Sequence, residues 1–149
     1  MLLAAALVKA CALLTAAEIA RVQGEKPAKR HATTPHSDAS RCVFALPTAA
    51  KSVSIEVTQG ARVVSFADRL RLAAEVEGEE AGDFEAPAIE RVPGMGDEAF
   101  WALGIPVGAL YVRRGEMLLR IVVGGDESKE AKFDKLRLLV PKVLSRLPK

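Results

Sequence analysis

The stretch ALYVRRGEMLLRIVV, residues 109–123, decides the fold. Ala109 to Arg113 and Met117 to Val123 are two runs of aliphatic and β-favouring residues, with Gly115 between them. A short glycine-bearing gap between such runs is a hairpin signal. The turn is expected at Arg114-Gly115, and Gly124-Gly125 ends the second strand. The fold class then depends on whether the flanking segments also read as hairpins or as strand–helix–strand units.

Upstream, they read as more antiparallel sheet. Glu98 to Leu103 forms a strand with Ala99, Trp101 and Leu103 on one side and Glu98, Phe100 and Ala102 on the other. Pro93-Gly94-Met95-Gly96 is a turn before it, Gly104-Ile105-Pro106 ends it, and Ala88 to Val92 is a further short strand. Further back, Arg41 to Leu46 and Ser52 to Thr58 make a second hairpin around Pro47-Thr48-Ala49-Ala50. The second of these strands alternates strictly, with Val53, Ile55 and Val57 on one face and Ser52, Ser54, Glu56 and Thr58 on a wet one. Because Phe100 and Trp101 point to opposite faces, both are buried only if the sheet is covered twice. Otherwise one of them is an exposed contact point.

Three segments have helical periodicity. Thr15 followed by Glu18 is a capping box, Leu14 and Ile19 form a staple, and Gly24 is the stop, so a short helix spans 15–23. Val63, Phe66, Leu70 and Ala73 recur at helical spacing from Ala61 to about Glu77, before a flexible acidic loop marked by Gly78 and Gly82. The last helix begins near Asp126 or Ser128. Phe133, Leu136, Val140, Val143, Leu144 and Leu147 form its stripe, with Lys132 off that stripe and a kink expected at Pro141. Residues 24–40 read as a polar loop with room for one irregular edge strand, because Pro27 and Pro35 argue against a central one. The expected order is α-β-β-α-β-β-β-β-α, an α+β fold with a mostly antiparallel sheet and about three helices.

Composition agrees with one domain. Half of the 149 residues are apolar and 27% are charged, which excludes collagen, coiled-coil and low-complexity classes. No apolar run approaches the ~18 residues of a membrane-spanning helix, so no transmembrane span is expected. The net charge of +2 is too small to imply nucleic acid. It is unevenly spread: residues 1–59 carry 7 basic and 4 acidic groups, 60–98 carry 4 and 10, and 99–149 carry 10 and 5. The basic last third lacks the interleaved aromatics that stack bases, so no nucleic-acid partner is expected. The acidic peak at Glu75, Glu77, Glu79, Glu80, Asp83 and Glu85 reads as a solvated helix end and loop.

The opening MLLAAALVKAC has the apolar run of a secretory signal but no basic residues before it. Residues 1–10 are a candidate remnant of a signal segment, and 11–149 form the domain. Two other readings stay open: a weak but functional signal, and an apolar segment packed on the domain. Cys11 and Cys42 are the whole cysteine complement, and in an exported protein they suggest one disulfide. The alternatives are two buried thiols, or a zinc site with His31 and His36, whose spacing fits poorly.

Several segments together resemble a family of uncharacterised bacterial exported proteins and lipoproteins. They are the run Cys11 to Ile19 with Gly24, then Cys42-Val43-Phe44, then Pro93 to Ala99, then Leu110-Tyr111-Val112 with Gly115. The family pattern is a C-x-L-L-T-x-x-E start, a second cysteine before a strand, and a P-G-x-G-D-E-A turn. The resemblance spans most of residues 11–147. It implies export and a Cys11–Cys42 bridge, and it carries no activity. The short leader-like run and Pro141 depart from the pattern, and the first departure leaves lipidation of Cys11 open.

No phosphate loop, nucleophile elbow, HExxH or paired CxxC occurs. No cofactor or metal is therefore expected. The leading reading is an exported, non-catalytic binding or interaction module for a protein or cell-envelope component, located periplasmically, secreted or lipid-anchored. Its candidate surface is Trp101, Tyr111, Arg113 and Arg120. The alternative is an extracytoplasmic enzyme built from Asp97, Glu98 and a loop histidine, His31 or His36. Adjacent strand residues face opposite ways, which argues against Asp97 and Glu98 sharing a substrate. A third reading gives Cys11 and Cys42 a redox or metal role.

Overall fold

Thr15 opens the first helix as its chemistry dictates. Its hydroxyl accepts from the Glu18 amide at 3.1 Å, and the Glu18 carboxylate accepts from the Thr15 amide at 2.9 Å. Helix α1 (Ala16–Gln23) ends where Gly24 adopts φ +81°, closing a left-handed cap. The structure, a computed structural model, describes residues 6–80, 89–103 and 108–148, without the side chains of 76–80. The remaining elements are β1 (Lys29–His36), β2 (Ala39–Ala45), β3 (Val53–Gln59), α2 (Arg62–Glu80), β4 (Ile89–Arg91), β5 (Glu98–Ala102), β6 (Ala109–Arg114), β7 (Met117–Val123) and α3 (Lys129–Arg146). Among the described residues no helix is long and apolar enough to cross a membrane.

The strands form one antiparallel sheet in the order β1-β2-β3-β7-β6-β5-β4. The fold is α+β, as the hairpin pattern requires. It contains one strand more than the expected order: the polar segment supplies β1, an edge strand whose eight residues are all exposed. Pro35 sits in β1 beside an irregularity between Thr33 and His36, and an edge tolerates the missing amide. The β6–β7 turn falls one residue later than expected, at Gly115-Glu116, because Arg114 still pairs with Met117. Helix α2 runs on through Gly78 to Glu80, while Gly82 and the Gly104-Ile105-Pro106 strand end lie outside the described residues. Helix α3 continues through Pro141.

Alternation sorts the sheet into two faces. Cys42, Phe44, Val53, Ile55, Val57, Ala99, Trp101, Leu110, Val112, Leu119, Ile121 and Val123 point one way, into the main core. That core is closed by Leu13, Leu14 and Ile19 before and within α1, and by Leu136, Leu139, Val140 and Val143 of α3. The opposite face is covered by α2, whose Val63, Ala67 and Leu70 are buried beside a sheet face bearing Phe100, Ala109 and Leu118. The sheet is therefore sandwiched at β5, and Phe100 and Trp101 are 1% and 4% exposed.

Three features tie the layers together. Cys11 Sγ and Cys42 Sγ lie at bonding distance, 2.06 Å, joining the segment before α1 to β2. The buried Gln23 amide donates to the Lys51 carbonyl at 2.7 Å and the Gly124 carbonyl at 2.9 Å, and accepts from Lys135 Nζ at 2.6 Å. Arg146 of α3 grips the Glu18 carboxylate through two bonds of 2.6 and 2.8 Å. This ion pair draws the Glu18 pKa down to about 2. The folded unit also starts ahead of Cys11. Ala10 is buried, the Val8 amide donates to Gln59 Oε1 at 2.6 Å, and the Ser40 hydroxyl donates to the Val8 carbonyl.

Candidate functional site

The α2-side face of the sheet is covered unevenly. Phe100 and Leu118 are shut away beneath α2, while toward β2 and β3 the same face carries exposed Arg41 and half-buried Val43, Ser54, Glu56 and Thr58. Register places Arg41 opposite Glu56, Glu56 opposite Arg120, and Arg120 opposite Tyr111. A row of charged and aromatic groups therefore crosses four neighbouring strands.

A groove of roughly 100 Å³ opens where this row meets the first turn of α2. His36, Glu56, Thr58, Arg62, Tyr111 and Arg120 supply its polar lining. Val63, Phe66 and Leu118 form its apolar part. The Phe66 and Tyr111 rings pack 5.6 Å apart at a tilt of 50°. Arg120 Nε donates to Tyr111 Oη at 3.2 Å, and the guanidinium carbon stands 6.0 Å from that ring's centre. Arg62 is neutralised by Asp38 through paired bonds of 2.8 Å. Among the described residues no carboxylate comes within salt-bridge distance of Arg41 or Arg120, and Glu56 likewise pairs with no cation.

The four residues expected to form a binding surface separate. Tyr111 and Arg120 meet in the groove. Arg113 projects from the same face but is engaged by Glu98 at 2.9 Å and Asp97 at 3.4 Å. Trp101 is no part of the surface. It faces the other side of the sheet, where Phe133 of α3 packs edge-on against it at 5.1 Å. Its burial follows from the second helical layer, which local alternation does not report.

The acidic pair is also differently arranged than expected. Asp97 precedes β5, so strand alternation does not govern it, and Arg113 bridges it to Glu98. Asp97 also accepts from the Gly115 amide at 2.7 Å, pinning one turn to another. Arg71 joins Glu98 through bonds of 3.1 and 2.5 Å, and with Arg113 it holds the Glu98 carboxyl below its ordinary range. His31 and His36 belong to β1, five strand intervals from β5, or about 24 Å at ordinary spacing. The structure does not bring them together with Asp97 and Glu98. Among the described residues no group of three or more His, Cys, Asp or Glu is placed to hold a metal ion.

Sequence reasoning read Phe66 only as part of a helix's apolar stripe and gave Gln23 and Arg62 no role. Each performs its role with groups far along the chain, and no local pattern announces that. The Glu56–Arg120 apposition carried a usable signal in the alternation of β3 and β7, but only once those strands are known to be neighbours. No family model, no curated protein and no solved structure matches this chain.

Proposed function

We propose that this chain is an extracytoplasmic, non-catalytic binding module. Its partner, a protein or a cell-envelope component, docks on the half-open sheet face beside α2. The observation that carries this reading is the unequal covering of that face: a half-exposed row of Arg41, Glu56, Arg120 and Tyr111 runs into a groove walled by α2. Holding ionic groups on the middle of a sheet costs stability unless they remain hydrated or meet a partner.

The cysteine pair at bonding distance and the resemblance to exported proteins support the compartment. A sulfur held in a disulfide is not free to form a thioether, so anchoring through a lipid on Cys11 is incompatible with the bridge. The engagement of Asp97 and Glu98 by arginines is why the reading is not an enzyme built on them.

Hydrogen exchange of the protein alone and with an envelope fraction of its source cell tests the proposal. Added protection in β2, β3 and the first turn of α2 is the expected result. Protection confined to α1 and α3, or none, refutes it. Expression of the full chain with thiol alkylation before lysis tests the compartment, where unmodified, bridged cysteines in the extracytoplasmic fraction are expected.

A further inference from the structure

The groove contains a guanidinium that is held but not neutralised. Arg120 Nε is tied to Tyr111 Oη at 3.2 Å, and the guanidinium carbon lies 6.0 Å from the centre of that ring. Its two terminal nitrogens make no hydrogen bond to protein among the described residues. β7 is the central strand of the seven described, so Arg120 stands in the middle of the half-open face rather than at its edge. A planar fork preorganised in this way is the usual partner of a two-oxygen anion.

The surroundings favour the same chemistry. Arg41 on the far side of Glu56 also lacks a carboxylate partner among the described residues, so the Arg41–Glu56–Arg120 row sums to one positive charge. Arg62, already paired with Asp38, adds none. Among the described residues Glu56 is the one carboxylate lining the groove. It opposes an anion and thereby gives the proposal a sign that can be checked. Val63, Phe66 and Leu118 offer an apolar wall to whatever carries the anionic group, and the volume admits several atoms rather than a polymer chain.

We infer that the Arg120 groove is a subsite for a carboxylate presented on a short apolar stem, as an acidic protein side chain or chain terminus presents it. This deepens the binding-module reading and rests on it. Arg120 makes the paired bond, Tyr111 positions Arg120, and Thr58 offers a hydroxyl at the rim.

The test is an amide-shift titration of the whole chain with propionate, methyl phosphate and neutral propionamide. Ionic strength is held at about 0.15 M with chloride. Saturable shifts at Thr58, Val63 and Arg120 are expected for propionate and not for the amide, and tighter binding of methyl phosphate than of propionate overturns the carboxylate assignment. Arg120→Gln should weaken binding by at least about tenfold, the scale of a charge-assisted bond. Glu56→Gln should tighten it severalfold. Tyr111→Phe keeps the ring but frees Arg120 Nε and should weaken binding less than Arg120→Gln.

Equal response to propionamide, an unchanged affinity in Arg120→Gln, or weaker binding in Glu56→Gln overturns the subsite. If Arg120→Gln unfolds, Arg120→Lys and Glu56→Gln still give opposite signs. Envelope-dependent protection of β2 and β3 that survives Arg120→Gln refutes the subsite and leaves the module reading intact. Protection elsewhere refutes the module reading itself.

Discussion

Opening the Cys11–Cys42 bridge by reduction should lower stability by about 3.7 kcal/mol. The bridge spans a sequence separation of 31, closing a ring of 32 residues counted inclusively. Loop entropy for such a ring is roughly −12.4 cal/mol/K, which gives about 3.7 kcal/mol at room temperature. Native contacts should change little, because Leu13 and Leu14 are buried independently of the sulfur, and the Leu13 carbonyl accepts from Arg146 at 2.9 Å. The effect therefore falls on the unfolded chain. For a chain of this length the melting midpoint should drop by about 7–15 °C. The denaturant dependence should steepen, since an unlinked chain exposes more surface. Urea unfolding of the oxidised protein, the reduced protein and Cys11→Ser with Cys42→Ser provides the assay. The reduced protein should show the entropic loss alone, and the double variant a larger one, because Cys42 is fully buried and serine there strands a hydroxyl. A loss below about 1 kcal/mol would refute the entropy argument. Two alkylatable thiols in the native protein purified without reductant would remove its premise.

Gln23→Ala should cost about 2–3 kcal/mol in the same unfolding assay, because it strands two carbonyls and one ammonium partner behind α1. A cost under about 0.5 kcal/mol would mean that water replaces the amide. Acid should destabilise the protein in a defined window. Glu18 has a folded pKa of about 2 against 4.5 for the free group, so its contribution is complete above pH 4.5 and vanishes as pH falls through about 2. The shift corresponds to about 3.4 kcal/mol, reduced to roughly 1–2 because Arg146 is a third exposed. Glu18→Gln should flatten the acid limb by that amount, with the remaining slope carried in part by Glu98, whose carboxyl Arg71 and Arg113 also hold low. Gly96→Ala should destabilise more than Gly94→Ala. Both glycines have positive φ, but at Gly96 an added Cβ would stand 2.6 Å from the Arg113 carbonyl oxygen and the Val112 side chain, whereas at Gly94 it meets nothing within 4 Å. Equal melting points for the two variants would contradict this.

Local chemistry alone determined a good part of this protein. The α1 boundaries follow from Thr15, Glu18 and Gly24, and the β6–β7 hairpin follows from two aliphatic, β-favouring runs around Gly115, because caps and tight turns are settled by residues a few positions apart. The antiparallel α+β class followed from counting such hairpins. Tertiary structure alone decided which faces are covered. Trp101 and Arg120 both sit on alternating strands, yet a helix from the end of the chain buries one while α2 leaves the other half open. The polar β1 became a strand only because β2 offered it an edge, and Gln23 became a junction only because three distant carbonyl and ammonium groups converge on it. Alternation fixes which side of a strand a residue faces, but contacts between distant elements fix what lies on that side. The groove beside Arg120, assembled from β1, β3, α2, β6 and β7, is a property of that second kind.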